Sequence, residues 1–181
     1  TLPARVEAAI AERIGRLDEA QRDLLAMASV EGETFTAQVI AQVQGLEERV
    51  VLRMLSHDLT TRHRLVREAE EVRTDGRFLS RYRFAHALFQ DYLYHDLSDG
   101  ERRLLHGEIA TALESCHGAH CETIAVSLAY HYDQAGHVEK TIEYALLAGE
   151  QALAAYANEE ALEHFRRALA LTEELPPSEV Q

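Results

Sequence analysis

Apolar residues return every three or four positions through most of this chain, and the breaks in that rhythm mark changes of architecture. Val6, Ile10, Ile14 and Leu17 predict an opening helix, with Pro3 suited to its first turn. Asp18 and Gln21 stand at capping-box spacing and predict a second helix through Leu24, Leu25 and Ala28, with Glu31-Gly32-Glu33 as the turn after it. Thr36 suits the cap of a third helix carrying Val39, Ile40 and Val43, which Gly45 stops. A fourth helix is predicted over 46–59. It would bury Val50, Val51, Met54 and Leu55 and turn Arg49, Arg53 and His57 outward.

The period then falls to two. Leu65 to Val72, a turn at Asp75-Gly76, and Phe78 to Phe84 predict a hairpin. Its second strand has Phe78, Ser80, Tyr82 and Phe84 on one side and Leu79, Arg81 and Arg83 on the other. Helical spacing resumes over 85–97. Ser98 with Glu101 then caps a helix carrying Leu105, Ile109, Ala112 and Leu113, which ends near Gly118. Three helices of similar length follow over 121–135, 138–156 and 158–174, separated by Gly136 and Ala157-Asn158 and closed by Pro176-Pro177. The expected fold is mainly α. A winged helix (helices plus a two-stranded hairpin) occupies 1–96, a connector helix and loop 97–120, and antiparallel helical hairpins 121–181.

Composition narrows the possible roles. No apolar run reaches membrane-spanning length and no basic-then-apolar leader opens the chain, so a cytoplasmic protein without membrane association is expected. Two cysteines, Cys116 and Cys121, make no disulfide framework. The net charge of −13 is uneven: 13 arginines against 16 acids leave −3 over 1–96, and 5 basic residues against 15 acids leave −10 over 97–181. An acidic second half is a poor surface for nucleic acid, which is held by matched cationic contacts. The segment 62–83 runs the other way, with seven arginines against four acids.

His86 sits where the strand ending at Phe84 gives way to a helix. A titratable ring at a helix N-terminus lies beside unpaired amides and partial positive charge, a natural place to meet a phosphate. The plainer reading is a helix-start histidine hydrogen-bonded to nearby backbone. The stretch Arg81 to Asp91 resembles the strand-to-helix junction of the winged helix in STAND-class signal-transduction ATPases, often written Met-His-Asp. That resemblance implies that His86, helped by Arg81 or Arg83, contacts the β-phosphate of ADP. Here Ala87 stands where the pattern has its aspartate, and Phe84-Ala85 precedes the histidine in place of a methionine.

The resemblance extends over nearly the whole chain. Leu2-Pro3 through Arg13, Leu17, Leu25, Ala28, Gly32 and Phe35 looks like the entry to that winged helix. Arg102-Arg103-Leu104-Leu105-His106 with Ile109-Ala110 and Leu113-Glu114 looks like the connector helix. Gly149, Ala152, Ala161, Phe165 and Ala168 have the small–small–small–large–small spacing of a tetratricopeptide hairpin, and Leu128-Ala129, Tyr132 and Gly136 suggest another. Any alanine-rich antiparallel helix pair would give a similar pattern. The implied role is regulatory and non-catalytic. The winged helix would hold an upstream nucleotide-binding domain in its ADP state, and the repeats, as the start of a longer array, would receive a protein or small ligand. The implied parent is a bacterial regulator with an adenylate cyclase or LuxR-type output domain. No cofactor is expected in this region, and ADP or ATP with Mg belongs to the parent's ATPase domain. The chain has no Gly-x-x-x-x-Gly-Lys-Ser/Thr, and its one lysine, Lys140, comes too late to serve one.

Other candidates weigh less. Arg49, Arg53 and His57 could line a recognition helix of a DNA-binding winged helix with a protein-interaction tail. Glu47, Glu48 and Asp58 dilute that face, and ribbon arginines more often pair with neighbouring glutamates. Cys116-His117-Gly118-Ala119-His120-Cys121 holds four ligand types in six residues, but a short loop rarely aims them at one point, and no metal site is expected. His106 and His131 read as packed core-edge residues, and no nucleophile–base set has motif support.

Overall fold

A computed structural model describes residues 4–74 and 76–174. Pro3, Asp75 and Pro176-Pro177, which mark element ends in the sequence, lie outside the described residues. The protein is mainly helical with one small antiparallel sheet. In chain order the elements are α1 (Ala4–Gly15), α2 (Glu19–Glu31), β1 (Thr34–Thr36), α3 (Ala37–Gln44), α4 (Glu48–Arg53), β2 (Val66–Thr74), β3 (Arg77–Phe84), α5 (Ala87–Asp96), α6 (Asp99–His117), α7 (Ala125–Ala135), α8 (Val138–Ala154) and α9 (Asn158–Glu174).

Both predicted capping boxes form, because each pairs an oxygen with amides that the helix itself cannot satisfy. Asp18 accepts from the Gln21 amide at 2.8 Å and Ser98 Oγ from that of Glu101 at 3.3 Å, and in each the reciprocal bond is present. Gly45 and Gly136 end α3 and α7 with φ of +64° and +78°, the left-handed region open to glycine. Thr36 precedes α3 as expected but caps nothing. Its hydroxyl donates instead to Glu31 Oε1 at 2.8 Å.

The expected hairpin forms as β2 and β3, and β1 adds a third strand that the sequence pattern lacked. The sheet has three strands in the order β1-β3-β2, with Phe35 opposite Tyr82 and Val66 opposite Phe84. β1 exists because Phe35 is fully buried, stacking on Tyr82 at 6.2 Å and tilting against Phe84 at 5.3 Å. A bulge between Glu68 and Glu71 shifts the register of β2.

The fourth helix also departs from expectation. After Arg53 it widens into π-helical winding over Met54–Arg62, closed by His63 N–H on Asp58 O at 2.8 Å. Val51, Leu55 and Leu59 face the core, whereas Val50 is 44% exposed. Arg64 leaves this segment at φ +53°, and the Leu65 amide reaches back to Leu59 O. Between α6 and α7 the chain forms a 3-10 turn, Gly118–Ile124, where α-helix was expected from 121.

Two apolar clusters result. One joins α1 and α2 to the sheet, α4 and α5, through Leu24, Leu25, Leu55, Leu59, Phe84 and Phe89. Each fully buried leucine of this kind contributes roughly 1.5–3 kcal/mol. The other joins Val30 of α2, Val39 of α3 and Leu79 of β3 to Ile109, Leu113, Leu128 and Tyr144 of the later helices. Packing therefore runs continuously across residue 96. No helix among the described residues is long and apolar enough to cross a membrane.

Candidate functional site

His86 occupies the N-cap of α5 in extended backbone (φ −149°, ψ 136°). Its ring is exposed, and Nδ1 accepts from the Leu88 amide at 3.2 Å. Since Nδ1 accepts, the proton of the neutral ring resides on Nε2, which remains free to donate outward. The junction thus performs the plain capping role and still presents one N–H donor.

Beside the ring lies a cleft of 520 Å³ between α1 and α5, walled by Val6, Ile10, Leu88 and Phe89, with Arg5 and Arg13 at its edge. Arg13 is fixed there. Its Nη2 donates to the carbonyls of His63 (3.0 Å) and Arg64 (3.1 Å), and its guanidinium lies 4.8 Å from the centre of the Phe89 ring. The arginines near His86 are therefore Arg5 and Arg13 of α1, which sequence spacing did not connect to it. Arg81 is elsewhere. Strand alternation turns it to the Leu79 side, where it bonds Glu70 at 3.1 Å and lines a separate cavity with Glu31 and His117. Arg83 is exposed on β3. Of the three residues grouped by the resemblance, only His86 lines this cleft.

The far end of α5 leads into a buried polar chain. Tyr94 Oη lies 3.1 Å from His106 Nε2, and His106 Nδ1 lies 2.8 Å from His131 Nδ1. Both imidazoles are 1% exposed, well inside the core and not at its edge as expected. Burial, with the Arg102 charge, pushes His106 down to about 4; burial, with the neighbouring ring, pushes His131 down to about 3. Both rings are neutral near pH 7. The chain ties α5 to α6 and α7. Its signal was absent from the sequence, because three separate helices supply its members.

Glu114 forms a second tie. It accepts from Tyr132 at 2.6 Å, from Lys140 at 3.0 Å and from Tyr144, whose ring stacks on Tyr132 at 5.9 Å. Burial pushes this carboxyl up, but the three donors outweigh it and the net shift is down.

The remaining candidates are placed as follows. Arg49, Arg53 and His57 are exposed along α4 and its π-helical continuation. Ribbon arginines pair with acids, as Arg77–Glu48 (3.2 Å) and Arg81–Glu70. In 116–121, Cys116 is buried toward Gln42, His117 bonds Leu113 O, His120 faces Glu122 and Cys121 faces Gly118 O, so the four point apart. No group of three metal-ligating side chains gathers among the described residues. Gly149, Ala161 and Ala168 are buried between α8 and α9, with Ala152 and Phe165 partly so. Phe165 packs on Gly149 within this pair.

No protein family, curated protein or solved structure matches the chain.

Proposed function

We propose that this chain is a regulatory, non-catalytic part of a STAND-class nucleotide-gated ATPase. In this reading residues 1–96 form a winged helix that docks on the upstream nucleotide-binding domain, and 121–181 begin a tetratricopeptide-like array that receives a protein or small ligand. The observation that carries it is the double attachment of α5. Its first residue follows an exposed His86 with one free N–H donor, and its last turn is wired through Tyr94, His106 and His131 to the helical half. A helix held at both ends passes displacement from one to the other, as a two-state switch requires. The three-stranded sheet set among helices supports the winged-helix assignment. The short distance between α8 and α9 at Gly149 supports the repeat assignment. In this reading Arg5 and Arg13, which line the cleft beside His86, take the assisting part that the resemblance gave to Arg81 or Arg83.

The encoded sequence before Thr1 offers the first test, since a reading without a Gly-x-x-x-x-Gly-Lys-Ser/Thr loop there fails. In the polypeptide that carries both parts, His86→Asn is the informative variant. Asparagine retains an N-cap acceptor but removes the outward N–H of the ring. ADP release several-fold faster, with unchanged melting temperature, supports nucleotide contact. Unchanged ADP affinity and resting activity leave His86 as a cap only.

A second reading is a DNA-binding winged helix with an interaction tail. It is favoured by the exposure of Arg49, Arg53 and His57 along one helix, with no ion pair to Arg49 or Arg53 among the described residues. The net charge of −13 opposes it. Salt-dependent retardation of an arbitrary duplex, lost in Arg49→Ala/Arg53→Ala, would establish it.

A further inference from the structure

A second cavity, of 560 Å³, lies between the sheet and the α6–α7 connection. Its walls come from both halves of the chain. Glu31, Thr36 and Arg81 line it from α2 and the sheet; His117, Thr123 and Ser127 line it from α6, the 3-10 turn and α7. Val72, Leu79, Leu113 and Ile124 make one part of it apolar.

Glu31 gives the cavity its chemistry. Oε1 accepts from the Thr36 hydroxyl at 2.8 Å, whereas Oε2 is buried and meets no hydrogen-bond donor among the described residues. A buried oxygen without a donor favours the protonated acid, which turns that oxygen from an acceptor into a donor. Burial indeed raises this carboxyl to about 7, against the pull of Thr36 and Arg81. Around it are the Arg81 guanidinium from β3, itself paired with Glu70 of β2, the Arg73 guanidinium from β2, the His117 ring and Cys116 thiol from α6, and the His120 ring from the 3-10 turn. Burial and the Arg81 charge lower His117, so that ring is neutral near pH 7, and burial raises Cys116, so that thiol stays protonated. The lining then offers two guanidinium groups, Arg73 and the Arg81 that also pairs with Glu70, together with several hydroxyl donors and an acid O–H. An amine would meet the Arg81 charge. An oxyanion would find matched donors.

The geometry points to a binding site for a small carboxylate with an apolar body, its anionic head held by Arg81, the acid form of Glu31 and the cavity hydroxyls, and its body against Leu79, Leu113 and Ile124. Because the walls belong to both halves, such a ligand would bridge them. This site stands apart from the His86 cleft and does not depend on the ATPase reading.

The test is calorimetric titration of the 181-residue chain with benzoate, and with sulfate as an oxyanion lacking an apolar body, at pH 6 and pH 8.5. Both probes keep their charge over this range. Saturable benzoate binding at pH 6 is expected, at least about ten-fold tighter than sulfate, and about thirty-fold weaker at pH 8.5 as Glu31 ionises. Glu31→Gln, which keeps a donor without a charge, should bind at both pH values alike. Arg81→Ala should abolish binding, and Arg67→Ala, outside the lining, should leave it intact. The proposal is overturned if benzoate shows no saturable binding at pH 6, or if binding survives Arg81→Ala. It is equally overturned if sulfate binds as tightly as benzoate, or if the wild type is indifferent to pH.

Discussion

The ring of Phe165 occupies the space a side chain at Gly149 would need: a β-carbon there would come within 2.5 Å of Cε1 and 2.8 Å of Cδ1. Glycine at 149 therefore serves a close helix approach and no special backbone angle, since it lies inside α8. Gly149→Ala should cost about 1–3 kcal/mol by overpacking. Combined with Phe165→Ala, which opens the space, the cost should fall well below the sum of the two single changes. Urea unfolding of the three variants checks this, and additive costs would mean the helices do not meet at these residues.

Glu31 should make stability depend on pH in a direction unusual for a carboxylate. Its acid form is favoured in the folded state, where the carboxyl sits at about 7 against an ordinary 4.5. The stabilisation is complete below pH 4.5 and is lost as pH rises through 7. The wild type should therefore lose on the order of 2–3 kcal/mol relative to Glu31→Gln between pH 4.5 and 7.5. Chemical denaturation of both proteins across this range is the measurement.

His106 and His131 act with the opposite sign. Their folded values of about 4 and about 3 lie below the ordinary 6.5, so their contribution is present above 6.5 and fades as pH falls through 4 to 3. Acid unfolding should follow ring protonation by proton NMR. Tyr94→Phe, which leaves His106 Nε2 without its hydrogen-bond partner, should cost about 1–3 kcal/mol at neutral pH.

Glu114 predicts a further acid transition. Its carboxyl lies below the ordinary 4.5, so the stability it brings is present above that value and is lost as pH falls below it. Glu114→Ala removes the common acceptor of Tyr132, Tyr144 and Lys140 and should cost roughly 2 kcal/mol, as hydrogen bonds to a charged group typically do. Tyrosine near-ultraviolet dichroism reports it, because the stacked pair loosens with the loss.

Much of the helical framework was legible in the sequence for local reasons. Ser98 with Glu101, Asp18 with Gln21, and the glycines at 45 and 136 act within one turn of chain, so spacing alone identifies them. What escaped is non-local. β1 has three residues, too few for alternation, and is held by the Phe35 contacts with Tyr82 and Phe84. The wide winding after Arg53 has no composition of its own. Thr36 has the right place for a cap, but the Glu31 carboxyl 2.8 Å away competes for its hydroxyl. His86 was found where spacing put it, whereas Arg13 could be joined to it only through the folding of α1 against α5.

The second apolar cluster makes the halves thermodynamically one object. Val30, Val39 and Leu79 are buried against Ile109 and Leu128, so severing the chain near Asp96 would strip both pieces of a shared wall. Limited digestion should yield one resistant body and calorimetry a single melting peak. Cleavage into two lasting products would require that wall to be dispensable.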